Sequence, residues 1–301
     1  MNATRQFIPE KFLPSIRFDE PLSRHTSWHV GGPADVYYTP HSIDELSKFL
    51  AAIPKDIPVY WIGLGSNCLI RDGGIRGVVV SLHLGLGRLD RVSETTIHAD
   101  AGVPCARVAR QCARWALGEA EFFAGIPGTV GGALAMNAGA WGGETWTHVV
   151  DVDVMNRFGE FKTRPMSDYR FGYRHVDMPE KEEWFLAARF RFKPDAQASQ
   201  DKIRDLLVAR KAKQPIGTWN CGSTFTNPPG DHAARLIEVS GLKGKRIGGA
   251  VVSEKHANFL VNEGAATAAD IENLIDYVRV EVERMHGVQL TTEVRILGES
   301  A

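Results

Sequence analysis

The sequence predicts an α+β protein built of two or three packed pieces, and three observations carry that expectation. The 301 residues correspond as a prior to about two domains, with one large or three small ones also open. The first half alternates strand and helix signals, and the remainder mixes amphipathic helices, short apolar strands and glycine-rich loops. Apolar residues, 44% of the chain against 24% charged, are spread along its whole length, which excludes a disordered chain.

Taken in order, Ala34 to Thr39 reads as a strand, and Ser42-Ile43-Asp44-Glu45 is a capping box that opens a helix. That helix places Ile43, Leu46, Phe49, Leu50 and Ile53 on one face, and Pro54 stops it. Val59 to Ile62 is a short buried strand followed by the turn Gly63-Leu64-Gly65-Ser66-Asn67, and Gly77 to Leu82 is a further strand, so the opening is βαβ-like. Pro104 starts a helix running to about Leu117, with Val108, Cys112 and Trp115 inward. Phe122 to Gly143 follows, 22 residues without a charge. Its seven glycines, proline and asparagine make a poor membrane helix and a good tight, close-approaching structure.

Val149 to Met155 alternates valines with Asp151 and Asp153, which reads as a half-exposed strand with its acids on the wet face. Phe185 to Phe192 is a second strong strand, and a helix from about Ser199 to Lys213 leads into Gln214-Pro215-Ile216-Gly217, a plausible domain junction. Asn227 to Asp231 is a loop that ends in a helix N-cap, and Ile247 to Val252 and Asn258 to Val261 read as strands. Thr267 to Asp270 caps the longest helix, with Ile271, Leu274, Ile275, Val278, Val282 and Met285 inward and Gly287 at its end. Glu293 to Leu297 closes the chain as a strand.

Several function classes drop out. With 35 basic against 36 acidic residues the net charge is -1, and there is no basic stripe, so nucleic acid is not the expected partner. No P-loop, HExxH or GxSxG is present; Gly244-Lys245-Arg246 lacks the upstream glycine. His25 and His29 are four apart, but Trp28 and Val30-Gly31-Gly32 argue against the helix that would aim both at one ion, and no metal site is expected. No secretory signal is visible. Cys68, Cys105, Cys112 and Cys221 form no CxxC pair and fit a reduced, cytoplasmic protein.

What remains is glycine in clusters: Gly31-Gly32-Pro33, the turn with Gly63 and Gly65, and Gly125-Ile126-Pro127-Gly128-Thr129-Val130-Gly131-Gly132. Glycine lets backbone N–H groups turn toward an anion with no Cβ in the way, and Ser66, Asn67 or Thr129 can add side-chain donors. Gly128 to Met136 resembles a loop running into a helix start, a natural pyrophosphate seat. Each cluster alone reads equally well as a tight turn; three together point to a dinucleotide, while the missing GxGxxG disfavours a Rossmann-held nicotinamide.

Together these residues resemble one family. The runs His25 to Asp35 (HTSWHVGGPAD), Gly63 to Asn67 (GLGSN) and GIPGTVGGALAMNAGAWGGE are similar to those of the UDP-N-acetylenolpyruvoylglucosamine reductase (MurB) family. Tyr173-Arg174-His175, Gly222-Ser223-Thr224-Phe225, Asn227-Pro228 and Glu293-Val294-Arg295 follow in the family's order, so the likeness covers about 20 to 298. Lys243 to Ala250 and Ser253 to Phe259 resemble its shorter, type II form, with no inserted substrate-lid segment.

The resemblance implies an FAD-binding fold of the FAD-linked oxidase (PCMH-like) type in two subdomains, 1–81 with 288–301 and 82–213, plus a smaller α+β substrate-binding domain, 214–287. It implies non-covalent FAD reduced by NADPH, and hydride delivery from flavin N5 to the enolpyruvyl group of UDP-N-acetylglucosamine enolpyruvate. The product is UDP-N-acetylmuramate, a peptidoglycan precursor. Arg174, Ser223 and Glu293 match the catalytic residues. Gly63, Gly65, Ser66, Asn67, Gly125, Ile126, Gly128, Thr129, Gly131 and Gly132 match the flavin motifs, and Tyr173, Lys213 and Asn227 positions near the substrate.

The residue chemistry suits these roles. Hydride addition to an enol ether conjugated with a carboxylate makes an enolate-like species, so Arg174 would hold the carboxylate with two parallel bonds and Ser223 would donate the proton. Glu293 would orient the substrate or a proton relay. Read without the resemblance, Arg174 is equally a surface arginine, Ser223 a turn serine and Glu293 a solvated strand residue. Lysine at 213 suits a diphosphate and asparagine at 227 a uracil edge. The chain departs from the family pattern at Thr226, where a lysine is usual, and at His29, where a longer basic residue is common; both bear on substrate affinity. Another flavin oxidase on the same fold, using molecular oxygen, and a nucleotide-binding protein without turnover are the competing readings, and the three catalytic matches together speak against both. Oligomeric state stays open, a monomer included.

Overall fold

Ser42 sits in extended backbone and its hydroxyl accepts the Glu45 N–H at 3.0 Å, which starts helix α1 (Ile43–Ala52). The box is not reciprocal: the Glu45 carboxylate turns to the His41 N–H and the Ser15 hydroxyl instead. Leu46, Phe49, Leu50 and Ile53 are buried as the spacing predicts, while Ile43 is half-buried. The computed structural model describes residues 3–301, with side chains from residue 5 onward. Its two units are the chain up to Phe18 with Val36–Leu64 and Gly77–Val208, and Asp19–Asp35 with Gly65–Arg76 and Ala209–Ala301.

In the larger unit α1 packs on Val36, Tyr38, Val78 and Val80. A buried guanidinium meets its C-terminal end and the turn beyond it: Arg157, 4% exposed, donates to the helix carbonyl of Leu50 at 3.2 Å and to those of Pro54 at 2.6 Å and Ile57 at 3.2 Å in the following turn. The strand Val59–Ile62 pairs in parallel with Ile75–Ser81, Val59 opposite Val78 and Ile62 opposite Ser81. Gly63 therefore follows directly on the carboxyl end of a parallel strand.

A five-stranded antiparallel sheet forms the rest, in the order Phe161–Pro165, Val149–Asn156, Glu183–Arg191, Thr96–Asp100, Leu89–Arg91. Helices α2 (Cys105–Arg114) and α3 (Val130–Ala135) bring Val108, Cys112, Val130 and Leu134 onto the core with Val152, Val154, Phe190 and Phe192. Trp115, expected inside, is half-buried. The acids of Val149–Asn156 are less exposed than the alternation suggested, Asp151 being half-buried and Asp153 buried. Asp153 is 7% exposed, and Arg189 on the adjacent strand donates to both Asp151 and Asp153. Asp151, Val152 and Asp153 pair in unbroken register with Arg189, Ala188 and Ala187, so the acids do share one face, and Arg189 covers it.

Helix α4 (Gln200–Lys213) contains the division between the units, after Val208. In the smaller unit α5 (Ala233–Val239) and α6 (Ala268–His286) bury Leu236, Ile237, Ile271, Leu274, Ile275, Val278 and Val282 with Trp28, Val252 and Leu260. The capping box of α6 is complete: Thr267 accepts the Asp270 N–H and Asp270 accepts the Thr267 N–H, each at 3.0 Å. Asp72 adds a second cap, accepting from the N–H groups of Ala268 and Ala269 at 2.9 Å each. Gly287 ends the helix in the left-handed region at φ 67°. Met285, expected on the inner face, is 46% exposed, because it sits in the last turn beyond the packed stripe.

Two further expectations need correction. Ile247 to Val252 is not one strand but a hairpin: Arg246–Ile247 turns at Gly248-Gly249 into Ala250–Val252, with Gly248 at φ 52° and Ile247 opposite Ala250. The N-cap of α5 is His232 rather than Asp231, whose carboxylate accepts the His232 N–H at 2.7 Å and pairs with Arg235. The closing strand is Arg295–Leu297, shorter than expected, and it runs parallel to Cys68–Ile70.

Candidate functional site

Each unit carries its own share of the residues that the sequence singled out. In the larger unit, Gly63 and the start of α3 come together. A Cβ on Gly63 would stand 2.6 Å from the Thr129 hydroxyl, so no larger residue fits there. Thr129, 3% exposed, is the N-cap of α3. The run around it is stitched to the loop preceding α2. The Cys105 N–H donates to the Gly128 carbonyl, the Val130 N–H to Val103 and the Gly131 N–H to Ala101, all at 2.9 Å.

Gly131 therefore serves close packing: its Cβ would meet that of Ala101 at 2.9 Å. Gly132 differs. The nearest atom to a Cβ there would be the Thr129 hydroxyl, 3.9 Å away, which leaves its outer face open. Gly125 is pressed against Ala140, where a Cβ would meet another at 2.6 Å, and Ile126 is 7% exposed. Gly63, Thr129 and Gly132 thus form a small backbone-lined surface with one hydroxyl. It fits the phosphate-bearing part of a dinucleotide such as FAD, to which glycine backbone and a threonine hydroxyl are suitable donors.

Arg174 does not lie on a strand. Arg170–Gly172 and His175–Asp177 pair antiparallel with Gly172 opposite His175, so Tyr173-Arg174 is the two-residue tip of a hairpin. Arg174 takes φ 55°, a left-handed conformation that costs a side-chain-bearing residue about 1–2 kcal/mol. Its guanidinium donates to the Gly139 carbonyl at 3.2 Å and lies 5.1 Å from the centre of the Tyr173 ring.

The sequence reading missed the residue beneath this hairpin. Asn137 is fully buried, donates through Nδ2 to the Gly172 carbonyl at 2.9 Å and to Glu144 at 3.0 Å, and accepts the Trp146 N–H at 3.0 Å. One signal was available: Asn137 is the single polar side chain in the run Ala133 to Ala138, and a buried amide must be satisfied.

In the smaller unit, the segment that follows Ser223 lies beside the one that carries Glu293. Phe225 bridges Thr292 in antiparallel sense, the Glu293 N–H donates to the Thr224 carbonyl at 2.8 Å, and the Thr226 N–H donates to the Thr291 carbonyl at 3.0 Å. Asn67 joins them. Its Nδ2 donates to the Glu293 carbonyl at 3.0 Å, and its own carbonyl accepts the Arg295 N–H at 3.1 Å. The asparagine of the glycine turn thus holds the catalytic-motif glutamate from one side. Gly65, at φ 60°, is closely packed on His25, where a Cβ would be 2.0 Å from its carbonyl oxygen, and Ser66 is half-buried.

Lys213 is exposed as the last residue of α4. Asn227 accepts the Ala233 N–H at 3.1 Å, at the start of α5. His25 bonds Glu20 at 2.8 Å and His29 lies on the Trp219 ring at 4.7 Å, so the two do not converge. All four cysteines are free, and burial pushes the Cys68 thiol up to about 11 and the Cys112 thiol up to about 12, which suits packed thiols rather than nucleophiles. Among the described residues no helix is long and apolar enough to cross a membrane.

A family profile described as UDP-N-acetylenolpyruvoylglucosamine reductase, C-terminal domain, matches residues 214–297, and one described as FAD binding domain matches 34–163. A UDP-N-acetylenolpyruvoylglucosamine reductase of Alkalilimnicola ehrlichii is 55% identical over 301 residues, covering 100% of this chain and 99% of its own. A protein of the same name from Methylococcus capsulatus is 54% identical over 282 residues, covering 93% of this chain and 92% of its own. Among solved structures, the crystal structure of UDP-N-acetylenolpyruvylglucosamine reductase (MurB) from Thermus caldophilus matches with a TM-score of 0.79 at 30% identity, covering 93% of this chain and 97% of that one.

Proposed function

Because the chain belongs to the UDP-N-acetylenolpyruvoylglucosamine reductase family, flavin oxidoreductases of peptidoglycan synthesis with an FAD-binding domain, we propose that it reduces UDP-N-acetylglucosamine enolpyruvate to UDP-N-acetylmuramate with NADPH as electron source. The fold is of the FAD-linked oxidase type. FAD, when bound, would supply two-electron chemistry linking NADPH to the enolpyruvyl group.

The chain's own residues do the rest. Gly63, Thr129 and Gly132 would hold the cofactor's phosphates, with Gly125, Ile126 and Gly128 shaping the loop around them; Gly65 and Ser66 belong to the matched flavin motifs. Arg174 offers two parallel N–H groups to the substrate carboxylate, where negative charge develops as hydride arrives. Ser223 gives its hydroxyl proton to the neighbouring carbon, and Glu293 orients the group that reprotonates it. Tyr173, Lys213 and Asn227 bind the nucleotide-sugar. The division into flavin subdomains 1–81 with 288–301 and 82–213, and a substrate domain 214–287, belongs to the same reading, as does a cytoplasmic location.

The observation that carries the reading is the antiparallel register that sets the Ser223 segment beside Glu293, with the Glu293 N–H on the Thr224 carbonyl at 2.8 Å. The test follows flavin absorbance anaerobically. NADPH should bleach it and UDP-N-acetylglucosamine enolpyruvate should restore it. In Ser223→Ala, bleaching persists and restoration slows by about 10²–10⁴-fold, the range for loss of a general acid. Equal loss of both half-reactions would sink the proton-donor role. Bleaching without restoration in the unaltered protein would overturn the substrate and favour a different flavin oxidase.

A further inference from the structure

The segment that carries Ser223 is bonded along both edges, and one edge is a side chain. Gly222, just before it, stands at φ 74° with nothing within 4 Å of where a Cβ would be, and its N–H donates to the Asn220 Oδ1 at 2.9 Å. The exit is held. On one side the Thr224 carbonyl accepts the Glu293 N–H at 2.8 Å. On the other lies Asn258, 3% exposed. Its main-chain carbonyl accepts the Thr224 N–H at 2.8 Å, its Oδ1 accepts the Phe225 N–H at 3.0 Å, and its Nδ2 donates to the Phe225 carbonyl at 2.8 Å.

The Asn258 amide therefore does what a neighbouring strand would do, presenting one acceptor and one donor to the same residue. Few side chains can replace it. Alanine offers neither group, ionised aspartate lacks the donor, and glutamine is one carbon too long. Asn258 is itself steadied, since the adjacent Phe259 carbonyl accepts the Ser253 N–H at 2.9 Å and the Phe259 N–H donates to His256 at 3.0 Å.

We infer that Asn258 is a positioning residue for the Ser223 hydroxyl. Its amide clamps both polar groups of Phe225, while its main-chain carbonyl, which any residue at 258 would keep, holds the peptide that joins Ser223 to Thr224; the amide thereby sets the direction in which the chain leaves Ser223, and with it the placement of the proton to be delivered. Asn258 acts through Ser223 alone and needs no contact with substrate. The inference rests on the reading of Ser223 as proton donor. Misplacing a reacting group by about 1 Å costs about 10²-fold in rate, so loss of the clamp should be large in one half-reaction only.

The test uses the full-length flavoprotein. Asn258→Ala should retain flavin absorbance and bleach with NADPH within about 3-fold of the unaltered rate, while re-oxidation by UDP-N-acetylglucosamine enolpyruvate slows by about 10–100-fold. The decisive arm is the double variant. In a Ser223→Ala background, Asn258→Ala should add less than about 2-fold, because a residue acting through an absent hydroxyl has nothing left to place. Multiplicative losses would overturn the inference, as would equal slowing of both half-reactions. If Ser223→Ala alone leaves re-oxidation intact, the proton-donor reading has failed, and that outcome is separate from failure of Asn258.

Should Asn258→Ala not fold, as judged by lost flavin absorbance and a lowered Tm, Asn258→Asp serves. The introduced carboxyl keeps the acceptor and regains a donor only when protonated. Re-oxidation should then recover as pH falls from about 8 to about 6, the range of a carboxyl raised by burial, with no such recovery in flavin reduction. A pH profile parallel to that of the unaltered protein would count against the clamp.

Discussion

Arg174 occupies a backbone conformation that glycine would adopt without penalty, yet a guanidinium is placed there. The hairpin closed by Gly172 and His175 and the Asn137 amide beneath it over-determine the turn, which is how strain of this kind persists in a folded chain. Arg174→Gly should accordingly leave the thermal midpoint unchanged or raise stability by about 1 kcal/mol, while substrate-dependent flavin re-oxidation falls by about 10²–10³-fold. Thermal melts beside stopped-flow re-oxidation would check both halves. A clear loss of stability would mean that the arginine is retained for packing. The Tyr173-Arg174 pair was legible as a motif, but nothing in the local pattern marked it as a hairpin tip. Asn137 and Asn258 were passed over because each bonds a segment at least 33 residues away.

Elements whose signals are local came through well. Helix α6 has its capping box, apolar stripe and terminal glycine within one stretch of chain, and each acts where the sequence put it. The strand Val149–Asn156 shows the opposite case. Its acids were assigned to water because alternation says nothing about what lies across the sheet, and Arg189 lies there. Burial raises the Asp153 carboxyl, but hydrogen bonds from Arg189 and Thr163 outweigh it and hold the group below its ordinary value. A depressed carboxylate contributes stability that is present above its unfolded pKa and is lost as pH falls through the folded value. Asp153→Asn should therefore cost about 1–3 kcal/mol at neutral pH, and the deficit should shrink at about pH 3, below the usual aspartate range. Urea titrations at the two pH values decide it; a constant deficit would show that shape, not charge, matters at this position.

At the scale of the molecule, the chain crosses between its two units several times, and each unit closes its own core. Stability linked to cofactor binding is the natural probe of such a fold. FAD added at about 100 times its Kd to stripped protein should contribute about 2.7 kcal/mol and raise Tm by about 4 °C for a chain of this length. NADPH added alone to the stripped protein should give a smaller shift. Scanning calorimetry would measure both, and an unchanged Tm with FAD would remove the phosphate-holding role assigned to Gly63, Thr129 and Gly132.

Composition, periodicity and glycine placement were enough by themselves to establish an α+β chain, the place of its long helices and the family-bearing motifs, because helix caps, apolar stripes and tight turns are decided within a few residues of chain, though α2 ends at Arg114 rather than near Leu117. The tertiary structure alone decided which glycines are packed and which face outward, that Gly248 breaks one strand into two, and that Asp153 is covered. It also decided that Asn67 and Asn258 reach the strands beside Ser223 and Glu293. Those outcomes depend on hydrogen bonds and contacts between segments far apart in sequence, and a one-dimensional pattern holds no term for the partner across the gap.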